Sequence, residues 1–212
     1  MALPLLAGLL ERGGATVSRL DLPKREELSE HEGLFQLVES MMGFLPNSML
    51  AMARNKPLLD AFAGLGAAVW APGRVSDELK AMVSFVASRS AGCQYCMAHT
   101  AHSAVEKRGV AQEKFDAIWE YETSPLFTPA ERAALVVAQG AGHVPNAVTD
   151  EDFTELRKHF SDDEIIEIMA VISMFGWLNR WNDTLSTPLE GEPVGFAKDH
   201  LTQHGWTGKG HI

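Results

Sequence analysis

Residues 92–102 read Gly92-Cys93-Gln94-Tyr95-Cys96-Met97-Ala98-His99-Thr100-Ala101-His102, and they hold both cysteines of the 212-residue chain, with two histidines close behind. A helix is predicted from Cys93 to Lys107, closed by Gly109 as its C′ residue after basic Lys107 and Arg108. Three residues make just under one helical turn, so both sulfurs project from nearly the same face and can close a disulfide with little backbone movement. Gly92 suits the start of that helix, where backbone N–H groups lack partners and the dipole favours negative charge. A thiolate there is stabilised, and its pKa can fall below the free value of about 8.5.

Working outward, the segments on both sides are helical. Ser76 reads as an N-cap with Asp77 and Glu78 in the first turn, and Leu79, Met82, Val83, Val86 and Ala87 line one face up to Ser90-Ala91-Gly92. Upstream, helices are predicted over His31–Phe44, stopped by Pro46, over Asn47–Arg54, and over Pro57–Trp70 before the Pro72-Gly73 turn. Downstream come Gln112–Glu120 and Pro129–Gln139, the latter opened by a Thr128 to Glu131 capping box. Acidic helix starts follow at Thr149 and Ser161, the second leading into the most apolar run, Ile165–Leu185. After Pro188 the chain loosens, with one helix at Phe196–Gln203. No segment alternates with period two, so the fold class is all-α, a helical bundle. The Ser-Asp caps at Ser76 and Ser161 echo each other and raise the reading of a duplicated helical unit. Residues 1–30 read as an N-terminal extension, 31–189 as one helical domain, and 190–212 as a tail packing on the domain or on a neighbouring subunit.

A formal net charge of −10 with no basic patch argues against nucleic acid and against an acidic membrane surface. The apolar start, Met1 to Leu10, has no basic residue before it and is too short to span a bilayer. Two cysteines do not make a disulfide scaffold, and an intracellular C-x-x-C is more often catalytic or metal-binding, so a cytoplasmic setting is expected. There is no second Cys pair for a structural zinc, and no nucleotide-binding glycine motif or haem signature. No cofactor and no metal are inferred, the remaining metal reading being a mixed site with His99 and His102.

Taken together, Pro57-Leu-Leu-Asp-Ala, Ser76-Asp-Glu-Leu-Lys, Ser90-Ala-Gly-Cys-Gln-Tyr-Cys-Met-Ala-His99, Gly109, Thr128-Pro-Ala-Glu-Arg and Phe175-Gly-Trp-Leu-Asn-Arg180 resemble the carboxymuconolactone decarboxylase superfamily, above all its AhpD-like, alkylhydroperoxidase-related group. The resemblance covers roughly residues 35–190. It implies packed helices that assemble as dimers, trimers or hexamers. It also implies a redox dithiol that reduces hydroperoxides or exchanges with a partner's disulfide, restored by a thiol reductant.

In the AhpD pattern a His stands four residues after the second cysteine, here Thr100, and a Glu twelve before the first, here Ala81. At about 100° per residue His99 lies about 60° from Cys96 and can assist proton transfer, whereas His102, about 120° away, fits packing or a subunit contact. Glu78 lies almost a turn before the vacant Glu position and reads as a relay group or as a simple first-turn charge. By the same count Tyr95 points away from the sulfurs, into packing. Cys96 is the expected attacking sulfur, with Cys93, at the more exposed helix start, exchanging with the reductant. Asn179-Arg180-Trp181-Asn182 is a polar cluster expected to anchor helices or subunits, and Trp177 and Trp181 form an aromatic stripe. Two other functions stay open: a decarboxylase-type lyase acting on a small lactone acid, and a redox-inert binding or assembly protein.

Overall fold

The computed structural model describes residues 18–212, and along them the backbone is helical with no strand. A 3-10 turn, Arg25–His31, leads into α1 (Glu32–Met42), then the short α2 (Asn47–Met52) and α3 (Lys56–Val69). Next come α4 (Asp77–Ala91) and α5 (Gln94–Glu106), joined at Gly92-Cys93. The order closes with α6 (Gln112–Asp116), α7 (Pro129–Gly142), α8 (Asp150–Leu156), α9 (Asp162–Leu185) and α10 (Gly191–His200). The segment Met1–Leu10 and the Gly13-Gly14 break lie outside the described residues. The part of the extension that is described packs on the chain's own body: Arg19 N–H donates to the Leu185 carbonyl at 2.8 Å, and its guanidinium to that of Thr184 at 2.8 Å.

Helix α4 is the centre, packed against α5, α7 and α9. Every residue from Leu79 to Ser88 is buried, so α4 is covered on all sides rather than along the one stripe expected from its larger apolar residues. Beside Lys80 and Phe85, the remaining faces carry the small side chains Ala81, Ser84 and Ser88. Helix α7 comes close at Gly142, where an added Cβ would sit 2.7 Å from the Ala87 carbonyl oxygen. Lys80 is buried in the same helix because its ammonium is fully engaged. It donates to the carbonyls of Val69 and Ala71, each at 3.2 Å, and pairs with Glu167 at 3.1 Å. The Glu167 carboxylate also accepts the N–H groups of Arg74 and Val75, so one ion pair fastens the end of α3 and the following turn to α9.

The helix starts follow from their caps. Ser76 accepts the Leu79 N–H at 3.2 Å, and Thr128 with Glu131 and Ser161 with Glu164 form reciprocal capping boxes. The predicted helix at Phe196–Gln203 begins earlier, at Gly191, because Pro193 stands in the first turn where its missing N–H has no partner to lose. This shift places Glu190 at the N-cap of α10. The Trp177 and Trp181 rings stack at 4.9 Å, and Trp177 stacks on Phe62 of α3, so the stripe packs within this chain, beside the buried Phe35, Met49, Met52 and Leu59.

Candidate active site

Gly92 adopts φ +78°, the left-handed conformation that ends α4 and that glycine takes without strain. It is the C-cap of α4 rather than the opening of α5. The N-cap of α5 is Cys93 itself, whose Sγ accepts the Cys96 N–H at 3.3 Å. The two thiols are unbridged and buried, Cys93 at 0 % exposure and Cys96 at 2 %, so Cys93 is not the more exposed of the pair as its place at the helix start suggested. Leu178 and Leu189 pack against the cluster that the two thiols form with Tyr95. The Asn182 amide donates to Cys96 Sγ at 3.5 Å, which gives the polar cluster late in α9 a direct contact with the site. Burial pushes the Cys93 thiol up from its ordinary value, and the hydrogen bond with Cys96 and the nearby Asp183 carboxylate add to the rise.

A second polar group forms on the other side of α5. His99 Nε2 lies 2.6 Å from Glu190 Oε2, and the Tyr95 hydroxyl donates to Glu190 Oε1 at 3.0 Å. The Tyr95 and His99 rings stack at 4.2 Å, and Phe44 closes edge-on against His99. Burial works to raise the Glu190 carboxyl, but the charge and hydrogen bond of His99 and the N–H of Asn47 outweigh it and hold the group below the usual carboxylate range. Tyr95 is pushed well above the ordinary phenol value by burial and by Glu190. Tyr95 is therefore more than packing: it points away from the sulfurs only to meet a carboxylate that α10 brings from the far end of the chain.

The other candidates take different places. The Thr100 hydroxyl donates to the Cys96 carbonyl at 2.7 Å and is used up within α5. His102 packs against the rings of Phe44 and Phe196, and burial lowers its pKa. Glu78 is exposed at the opposite end of α4, near Gly109, about 20 Å of helix from the cysteines. Ala81, at the vacant Glu position, is buried in the core of α4.

Two further residues stand beside the Cys93 sulfur, and the sequence reading named neither. A ring nitrogen of His211, a carboxylate oxygen of Asp183 and Cys93 Sγ lie within 4.8 Å of one another. Asp183 and His211 also line a cleft of about 430 Å³ with Arg19, Gly92, Gln94 and Lys209. The residues after α10 are fixed there through Gln94, which stands between the cysteines. Its side-chain oxygen accepts the N–H groups of Thr207 and Gly208 at 2.9 and 3.2 Å, and its carbonyl accepts the Trp206 indole N–H at 2.9 Å. The glycine-rich run Gly208-Lys209-Gly210 before His211 was the available signal, since both glycines take positive φ to turn the chain back onto the site.

A family model described as carboxymuconolactone decarboxylase family matches residues 56–140. The debrominase Bmp8, solved as a cysteine-to-alanine variant in complex with 2,3,4-tribromopyrrole, is 34 % identical, with a TM-score of 0.81 over 86 % of this chain and 98 % of that one. A peroxidase-related protein from Ralstonia eutropha JMP134, described as an alkylhydroperoxidase AhpD core, shares the fold at 24 % identity and a TM-score of 0.74, over 86 % of this chain and 96 % of that one. YnjA of Escherichia coli (strain K12) is 29 % identical over 113 residues, 53 % of this chain, and the match spans 62 % of that relative's length. The matching family model, with one-third identity along nearly the whole of a solved chain on the same helical frame, makes this protein a member of the carboxymuconolactone decarboxylase family.

Proposed function

We propose that the protein is a dithiol-dependent reductase in which Cys93 and Cys96 give two electrons to a small electrophile and close to a disulfide. The observation that carries this reading is the pair itself: two free thiols one turn apart at the head of α5, the first accepting the N–H of the second. With a hydroperoxide, the Cys93 sulfur attacks the distal oxygen, the O–O bond breaks, and the alkoxide leaves with a proton as the alcohol. The resulting sulfenic acid is attacked by Cys96, the S–S bond forms, and water leaves. Cys93 is assigned the attack because it borders Asp183 and His211 of the cleft, whereas the polar side-chain contact of Cys96 is the Asn182 amide. A small thiol or a dithiol protein then restores the pair by exchange, a cycle suited to the cytoplasm, where thiols stay reduced.

Reductive dehalogenation is the second reading, favoured by the 34 % identity to Bmp8 over 98 % of that chain. The same two electrons would then cleave a carbon–bromine bond, with a proton added at carbon and bromide released. One preparation separates the readings. Reduced protein is mixed with cumene hydroperoxide or with a brominated pyrrole, and free thiols, alcohol and bromide are counted. Loss of both thiols with alcohol, abolished by Cys93→Ser or Cys96→Ser, supports the peroxidase reading, and bromide release under the same conditions supports the other. Persistence of both thiols with either compound in excess removes both, and leaves a redox-inert protein or a lyase.

A further inference from the structure

We propose that His211, braced by Thr187 and Asp183, is the acid–base partner of the Cys93 sulfur. The inference rests on the dithiol reading and assigns the group that moves its proton.

A buried thiol beside a carboxylate resists ionisation, so Cys93 needs a base close by before it can act as a nucleophile. His211 supplies one: a ring nitrogen lies within 4.8 Å of Cys93 Sγ. Its ring is 4 % exposed, and Nδ1 lies 2.7 Å from the Thr187 carbonyl. A carbonyl only accepts, so Nδ1 carries a hydrogen and the lone pair of the neutral ring falls on Nε2. Nε2 in turn lies 3.2 Å from Asp183 Oδ1, another group that only accepts when ionised. In the neutral ring these two lone pairs face each other. A proton arriving on Nε2 replaces that opposition with a hydrogen bond to Asp183. The Cys93 S–H bond breaks with its electron pair kept on sulfur, and an N–H bond forms at His211. The same proton then goes to the alkoxide that leaves the peroxide, which returns the ring to its starting state.

The arrangement of the chain supports the assignment. His211 is held at its carbonyl by the Leu189 N–H at 2.9 Å, and the residues before it are fixed on Gln94, inside the C-x-x-C. The base is thus registered on the motif it serves. His99, the candidate suggested by the sequence, is committed to Glu190 at 2.6 Å and stacked on Tyr95. The charged and titratable groups facing the sulfur and the His211 ring are Asp183 from α9, Cys96 from α5, Arg19 and Lys209 across the cleft, and the Tyr95 ring 5.8 Å from that of His211.

The test reads the thiol without any substrate, so it stands or falls apart from the peroxidase and dehalogenase assays. In a Cys96→Ser background, the rate of Cys93 alkylation by iodoacetamide and the thiolate absorbance near 240 nm are followed from about pH 5 to pH 10. His211→Gln, which keeps a donor for Thr187, is expected to slow alkylation at pH 7 about tenfold and to move the inflection up by about one pH unit. Asp183→Asn is expected to change the same profile, and His102→Gln, outside the site, to leave it in place. Circular dichroism of each variant reports folding, and data from a folded variant decide the matter. An unchanged profile in folded His211→Gln overturns the proposal, as does a profile that responds to His99→Gln instead. One equivalent of tightly bound zinc lost together with His211 overturns it too, since the three groups would then be metal ligands rather than a proton-holding set.

Discussion

His99 Nε2 stands 2.6 Å from Glu190 Oε2, and this contact joins the middle of α5 to the residue that starts α10. Glu190 also serves the Tyr95 hydroxyl and the Asn47 N–H, so three parts of the chain, the heads of α2 and α10 and the middle of α5, meet on one carboxylate.

Replacing Glu190 by Ala leaves Tyr95 and the Asn47 N–H without their acceptor, and a loss of about 2 to 4 kcal/mol is expected in urea unfolding, with the slope unchanged. The pH dependence has a definite sign. The folded-state pKa of Glu190 is lowered from 4.5, so its contribution is fully present above 4.5 and is lost as pH falls through the folded value. The stability gap between wild type and Glu190→Gln should therefore narrow below pH 4.5. A gap that widens on acidification would contradict the pairing.

Lys80→Met removes the ammonium but leaves Glu167 ionised and the carbonyls of Val69 and Ala71 without a donor. A loss of about 3 kcal/mol or more is expected, because an orphaned partner is worse than an absent pair. The double variant Lys80→Met with Glu167→Gln should lie closer to wild type than the sum of the two singles. Additive losses in that cycle would show that the ion pair does not act as a unit.

Glycine to alanine in a helix commonly stabilises by about 0.5–1 kcal/mol. That gain is expected at Gly64 in α3, where an added Cβ meets nothing within 4 Å. At Gly142 the sign should reverse, with a loss of about 1–3 kcal/mol, because the new atom meets the Ala87 carbonyl at 2.7 Å. Thermal unfolding of the two variants side by side checks the contrast.

Gln94→Ala removes the acceptor of the Thr207 and Gly208 N–H groups but not that of Trp206. Hydrogen exchange at those two amides should quicken by about tenfold or more, while α4 keeps its protection. Equal exchange in both proteins would mean that the segment is held by Trp206 and Leu189 alone.

The local part of this structure was legible in the chain. Ser76, Thr128 and Ser161 announce their helices because a cap is a contact between residues three apart, and Cys93 with Cys96 is readable for the same reason. The polar partners of α5 were not. Glu190 is 91 residues from His99, in a stretch whose Gly and Pro read as loop, and only the docking of α10 on α5 brings the two together. Tyr95 was read as packing alone, because an angular count on one helix says which way a side chain points, not what waits there. His211 was one of eight histidines, with no spacing to tie it to the cysteines.

The turn at Gly92 has an electrostatic consequence. The Gly92 and Cys93 N–H groups are spent on the Arg89 and Ser88 carbonyls, at 3.0 and 3.2 Å, so the negative end of α4 abuts the positive end of α5. The field of the carbonyl end of α4 opposes that of the N–H end of α5 at the Cys93 sulfur. The motif's place at a helix head therefore gives its first cysteine less activation than an isolated helix would supply, beyond the one N–H it accepts from Cys96. The capacity to ionise that sulfur has to come from discrete side chains around it.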